Sequence, residues 1–213
     1  MSIQSRSPSI LSRILRWALL RFYKSAGWRA TGTVPQERRF VLIAAPHTSN
    51  WDFLYFIGLT QELGITPNFM AKRSLFRWPW RNFMLDMGGV PIDRSSANNV
   101  VDQMAGEFAQ RDEFMLTIAP EGTRGEVGRW KTGFYHIAVA AKVPLVVGMM
   151  DYSTKTGGLG PAIMPSGDFD ADMAKVKPLY DSVVPRHPER MVRHITGKEP
   201  ARHKTGAGNA NDG

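Results

Sequence analysis

This sequence predicts a single α/β domain: a largely parallel mixed sheet flanked by helices, preceded by an N-terminal amphipathic helix. Two observations carry that reading. Short apolar runs at Phe40–Ala44, Asn68–Lys72, Phe114–Ile118 and Pro144–Met150 read as strands and alternate with helix-period segments, the pattern of a parallel sheet with helical crossovers. The chain has 213 residues, 43% of them hydrophobic, enough for one domain with a sizeable core.

The first nine residues are polar. From Ile10 to Lys24 the pattern is amphipathic: Leu11, Ile14, Leu15, Ala18, Leu19 and Phe22 share one face of a helical wheel. Arg13, Arg16, Arg21 and Lys24 lie opposite, Trp17 sits near the boundary, and Leu20 falls among the charges. The apolar run Trp17–Leu20 is far too short to cross a bilayer, and arginines interrupt any signal-peptide core. A basic amphipathic helix with a boundary aromatic reads as an interfacial membrane anchor; the plainer reading is a helix packed on its own domain.

Ala26–Arg39 reads as a connector punctuated by Gly27, Gly32 and Pro35. The helix after Ser49 is predicted to reach Leu63 and stop at Gly64. Leu75–Met84, rich in aromatics and arginine, is predicted to be helical with a break or a helix start at Pro79, and its tryptophans suit either a lipid interface or a half-buried core. Gly88–Arg94 reads as a turn and short strand. Ala97–Gln110 and Thr132–Lys142 read as helices, and a further helix is expected near Asp170–Val184, limited by Pro178. The expected division is an anchor helix and connector over 1–34, one folded unit over 35–195, and a disordered polar tail over 196–213.

Composition narrows the function classes. With no cysteine there is no disulfide framework, no cysteine metal site and no cysteine nucleophile. A formal net charge of +8 and a pI of about 10.0 favour anionic partners, and no RNA-binding signature accompanies that charge. We therefore expect a phospholipid surface and phosphorylated small molecules as partners, and no nucleic acid.

Four stretches place polar residues just beyond a strand or at a turn: His47–Asp52, Gly88–Arg94, Pro120–Arg124 and Val143–Val147. A histidine at the end of a strand, with an aspartate at the start of the next helix, suits an imidazole held as a general base. The same residues fit a capping box in which Ser49 and Asp52 only satisfy free amides at the helix start. In the third stretch Gly122 allows close backbone approach, while Thr123 and Arg124 offer a hydroxyl and a planar fork, a set that suits phosphate. Glu121 is placed to fix that fork or to meet a glycerol hydroxyl, and Arg94 to add a phosphate contact.

In this order and spacing the four stretches resemble the four motifs of the glycerolipid acyltransferases, whose best-known members are the 1-acyl-glycerol-3-phosphate acyltransferases. His47 and Asp52 match the first motif; Gly89, Ile92, Asp93 and Arg94 the second; Pro120–Arg124 the third at every position; and Val143–Val146 the fourth. The resemblance covers roughly residues 35–155, with Pro91 standing where many members carry an aromatic residue. It implies an O-acyltransferase of phospholipid biosynthesis on the cytoplasmic face of the cell membrane. His47 would be the base and Asp52 its orienting partner. Lys72, Arg94, Glu121, Gly122, Thr123 and Arg124 would hold the glycerol phosphate, with Lys131 a weaker candidate. The implied acceptor is lysophosphatidic acid and the implied donor an acyl thioester of coenzyme A or acyl carrier protein, with no metal and no further cofactor. Another lysolipid, such as a lyso-ornithine lipid, or a non-catalytic lipid-binding protein of the same fold, are the alternatives.

Overall fold

The computed structural model describes residues 8–93, 97–123, 128–192 and 195. The helices are α1 (Ile10–Ser25), α2 (Asn50–Glu62), α3 (Arg81–Asp86), α4 (Ala97–Gln110), α5 (Gly133–Ala141) and α6 (Phe169–Asp181). The strands are β1 (Arg29–Thr31), β2 (Arg39–Ala44), β3 (Asn68–Lys72), β4 (Gly89–Ile92), β5 (Phe114–Ile118), β6 (Leu145–Asp151) and β7 (Thr156–Leu159). They form one sheet in the order β1-β7-β6-β2-β5-β3-β4. Every pairing is parallel except β6 with β7.

Strand β2 lies at the centre and is buried on both faces. Phe40, Val41, Leu42 and Ile43 are all fully buried. Val41 and Ile43 feed one core with Leu116, Val147 and Phe134, while Phe40 and Leu42 feed the other with Met115 and Val146. A strand covered on both sides has no need of alternation, which is why this stretch is an unbroken apolar run. Because β2, β5, β3 and β4 are mutually parallel, their carboxyl ends open on one edge of the sheet.

The predicted strands and helices recur within three residues, with four departures. The expected connector contains β1, and a final strand, β7, follows β6 through a tight turn. Both hide in glycine and in brevity. A Cβ at Gly157 would lie 2.8 Å from Leu59 Cδ2, and one at Gly158 would lie 2.4 Å from the Thr31 carbonyl oxygen. Close packing thus selects glycine where propensity would select a β-branched residue.

The third departure concerns α1. Ser12 and Tyr23 are buried, and Leu20 packs against the hydrophobic cluster of Tyr23, Trp28, Tyr55 and Leu59. Leu20 breaks the wheel because it belongs to the face turned toward the protein. Ile10, Leu11, Ile14 and Trp17 remain exposed. The start of the helix is tied down by Asp86, whose Oδ2 accepts from the Ser9 amide (3.0 Å) and the Ser12 hydroxyl (2.9 Å), while Arg16 donates to the Asp86 carbonyl. The segment expected to be helical over 75–84, with a break or start at Pro79, is a 3-10 turn at Arg73–Phe76, a turn through Pro79, and the short α3 that starts at Arg81. No helix among the described residues is long and apolar enough to cross a membrane.

Helix α1 seats on α2 through Gly58, where an added Cβ would lie 2.3 Å from Tyr23 Cβ and 2.5 Å from its Cγ. The Gly58→Ala variant should therefore lose about 1–3 kcal/mol of stability by overpacking. Urea unfolding measures it, and an unchanged midpoint would show that α1 is not seated in this way.

Candidate active site

The first motif occupies the turn from β2 into α2, and one carboxylate organises it. Asp52 Oδ2 accepts from the backbone amides of Thr48 and Ser49, each at 2.8 Å. The Ser49 hydroxyl accepts from the Trp51 amide at 3.2 Å, completing a capping box. The same Asp52 Oδ2 lies 3.2 Å from His47 Nδ1. The capping and catalytic readings of Asp52 are thus satisfied together by one oxygen. Its partner oxygen, Oδ1, accepts from the Tyr152 hydroxyl at 2.6 Å. Burial opposes ionisation of Asp52, but the hydrogen bonds from His47, Tyr152 and Ser49 outweigh it and hold the carboxyl below its usual range.

The third motif reaches the first through Glu121. It is 3% exposed, and its Oε1 accepts from the His47 amide at 3.3 Å. Its Oε2 is buried without a hydrogen-bond partner among the described residues. Burial pushes this carboxyl up to about 7, against the hydrogen bond from the His47 amide. Glu121 therefore braces the backbone of the turn that carries His47. Gly122 takes φ +69° and carries the Lys131 side chain across its face, a Cβ there falling 2.6 Å from Lys131 Nζ. Lys131 also donates its amide to the Pro120 carbonyl at 2.9 Å.

Sheet topology accounts for the convergence. His47 follows β2, Glu121 follows β5, Lys72 ends β3, and Asp93 follows β4, all on the same edge. Lys72, Gly122 and Thr123 are exposed there. Arg94 and Arg124 lie outside the described residues.

Beside the pair is an apolar cavity of about 160 Å³. His47 and Asp52 form part of its wall, Phe53, Phe56 and Ile57 line it from α2, and it extends to Phe69 and Met87. Gly148 on β6 lines it as well. The site thus joins a held imidazole and an apolar slot, with Lys72 exposed on the same edge of the sheet.

Sequence reasoning missed the groups contributed from far along the chain. Tyr152 closes the pair from the β6–β7 turn. After α6 the chain crosses the first motif: the His187 amide donates to Thr48 Oγ1 (3.3 Å), Arg190 donates to the Thr48 carbonyl (3.3 Å), and the Arg186 guanidinium lies 5.4 Å from the Trp51 ring centre. The one available signal was a polar residue directly after an apolar strand, as at Asp151-Tyr152.

The Glu121 carboxyl titrates at 4.5 ordinarily and at about 7 here, so between those values the folded state holds a proton the unfolded chain has released. Its contribution is fully present below the lower value and is lost as pH rises through the upper one. Relative to Glu121→Gln, the wild type should lose up to about 3 kcal/mol across that window. Chemical denaturation at a series of pH values checks this, and parallel profiles for the two proteins would contradict it.

Comparison with known proteins gives one answer at two levels. A protein of Haemophilus influenzae named 1-acyl-sn-glycerol-3-phosphate acyltransferase is 26% identical over 155 residues, 68% of this chain and 62% of that protein. The human 1-acyl-sn-glycerol-3-phosphate acyltransferase beta is 30% identical over 142 residues, 62% of this chain and 50% of its own length. The Escherichia coli 1-acyl-sn-glycerol-3-phosphate acyltransferase is 30% identical over 110 residues, 48% of this chain and 43% of its own. The chain thus spans between 43% and 62% of the length of these relatives. The crystal structure of PlsC, the 1-acyl-sn-glycerophosphate acyltransferase of Thermotoga maritima, shares the fold, with a TM-score of 0.52 over 80% of this chain and 79% of that one, at 18% identity. A family model described as Acyltransferase matches residues 29–150, more than half of the 213. By that match, which contains all four motifs, the chain belongs to the Acyltransferase family.

Proposed function

We propose that this protein transfers a fatty acyl group from an acyl thioester to the free hydroxyl of lysophosphatidic acid, giving phosphatidic acid. The observation that carries the reading is the His47–Asp52 pair at the wall of an apolar cavity. The names of the relatives support the acceptor.

With Nδ1–H donated to Asp52, Nε2 is left as the acceptor. The acceptor hydroxyl attacks the thioester carbonyl while its proton passes to His47 Nε2. The tetrahedral adduct then expels the thiolate, which takes the proton back from the imidazolium. Asp52 stabilises the imidazolium between the two steps, and a thioester is activated enough that positioning and a base are the main requirements. The acyl chain lies in the cavity beneath α2. Lys72, Arg94, Gly122, Thr123 and Arg124 hold the phosphate and glycerol, and Glu121 acts by bracing His47. The donor is acyl-coenzyme A or acyl carrier protein, both anionic and suited to a surface with net charge +8.

The protein docks peripherally on the cytoplasmic face of the membrane, with the N-terminal 1–34 as anchor and connector to the catalytic unit over 35–195. Ile10, Leu11, Ile14 and Trp17 project from α1. A second foot is the turn between β3 and α3, where Trp78 is 91% and Trp80 66% exposed, flanked by Arg77 and Arg81. Tryptophan and arginine together favour the headgroup region of an anionic bilayer.

Purified wild type should form phosphatidic acid from acyl thioester and lysophosphatidic acid, and His47→Ala should lose at least about a hundredfold in kcat. Turnover surviving in the variant would sink the base assignment. Product formed only with a phosphate-free lysolipid would overturn the acceptor.

Serine at Ile14 and Trp17, or at Trp78 and Trp80, should each reduce flotation with anionic vesicles several-fold, and added salt should weaken binding further. Unchanged flotation in both variants would place the anchor elsewhere.

A further inference from the structure

We propose that Tyr152 is a positioning residue of the catalytic pair, its phenol fixing the Asp52 carboxylate and setting how tightly that carboxylate holds the His47 imidazolium. The inference rests on the reading of His47 as the general base.

Asp52 Oδ2 is fully occupied by two backbone amides and His47 Nδ1. Its other oxygen sits in a residue only 7% exposed, where a carboxylate oxygen without a donor is costly. The Tyr152 hydroxyl fills that role at 2.6 Å, a length typical of an O–H donor to a charged oxygen. The phenol cannot easily swing away. Its ring stands edge-on to Trp28 (4.9 Å, 87°) and Tyr55 (6.0 Å, 75°), and its amide donates to the Val184 carbonyl at 2.8 Å. Burial and the hydrogen bond to Asp52 keep the phenol protonated, so it remains a donor wherever the enzyme works. Tyr152 does not line the apolar cavity, so it acts on the pair and not on the acyl chain.

Other charged and titratable groups bear on the same cluster. Glu121 meets the His47 amide, Arg186 acts on the phenol, Tyr55 packs against it, and His187 and Arg190 hold Thr48. None of these donates to Asp52 Oδ1 among the described residues.

Replacing Tyr152 by phenylalanine keeps the ring contacts and removes one donor. The carboxylate then becomes more basic and binds the imidazolium more tightly, so the base stays protonated to higher pH. A purely structural tyrosine would alter stability and leave the pH profile in place.

The test is kcat and KM across about pH 5 to 9 for wild type, Tyr152→Phe and His47→Ala, with Tyr152→Phe repeated in Glu121→Gln because Glu121 titrates in the same range. Because the Asp52 carboxylate, short of one donor, no longer fixes the imidazole ring in place, Tyr152→Phe should lower kcat about tenfold, a loss of positioning, with KM unchanged. Its acidic limb should move to higher pH in both backgrounds. A fluorotyrosine placed at 152 keeps the fold and the bond but donates more strongly, and should move the limb to lower pH. Profiles superimposable on wild type in both substitutions, with His47→Ala inactive, would overturn the role of Tyr152 alone. Activity persisting in His47→Ala would remove the base reading and this inference with it.

Discussion

The rest of the site depends on the carboxylate of Asp52. It closes the amino end of α2 and holds the imidazole of His47, through the same oxygen. The economy has a structural consequence. Any shift of the helix start would carry the histidine with it, so the packing of α2 and the geometry of the imidazole are one problem. Glu121 secures the other side of the turn through the His47 amide, and the chain after α6 secures Thr48. The histidine is thus bracketed by parts of the chain 74 residues away and more.

That bracketing is possible because the sheet is parallel around β2. Parallel strands send their carboxyl ends to one edge, and short loops there need only carry the right residue types. The central strand is buried on both faces, which makes the platform beneath His47 rigid. The apolar cavity lies between that platform and α2, beside the pair. In the proposed reaction, an acyl chain in that cavity and a phosphate near Lys72 would place the reacting hydroxyl between them. The exposed faces of α1 and of the Trp78–Trp80 turn are tied together by Asp86, which joins the helix start to the end of α3.

How far the sequence discloses this depends on the range of the interaction. Local patterns are legible: β3, α4 and β5 fall on their predicted bounds because hydrophobic period and flanking residues decide them. The Ser49–Asp52 cap and the Gly64 stop are equally local. Leu20 was misplaced by the wheel because the face of α1 that packs inward is set by Gly58 and Tyr55 on another helix. Strand β7 was invisible because contact with Leu59 and Thr31 selects two glycines within four residues. In the site, residue types and order pointed to His47, Asp52 and Glu121. Only its place directly after an apolar strand pointed to Tyr152, whose bond to Asp52 forms because β6 lies beside β2. Nor did the sequence show that Glu121 meets the backbone of His47 through a buried oxygen.

The central claim is that His47 activates the acceptor hydroxyl for direct attack, with no acyl group passing through the protein. Rapid mixing of purified protein with an acyl thioester alone, followed by measurement of released thiol and of protein mass, tests it most directly. The account predicts no burst of thiol and no acyl adduct until lysophosphatidic acid is added. A burst stoichiometric with protein, matched by a covalent acyl adduct, would contradict it.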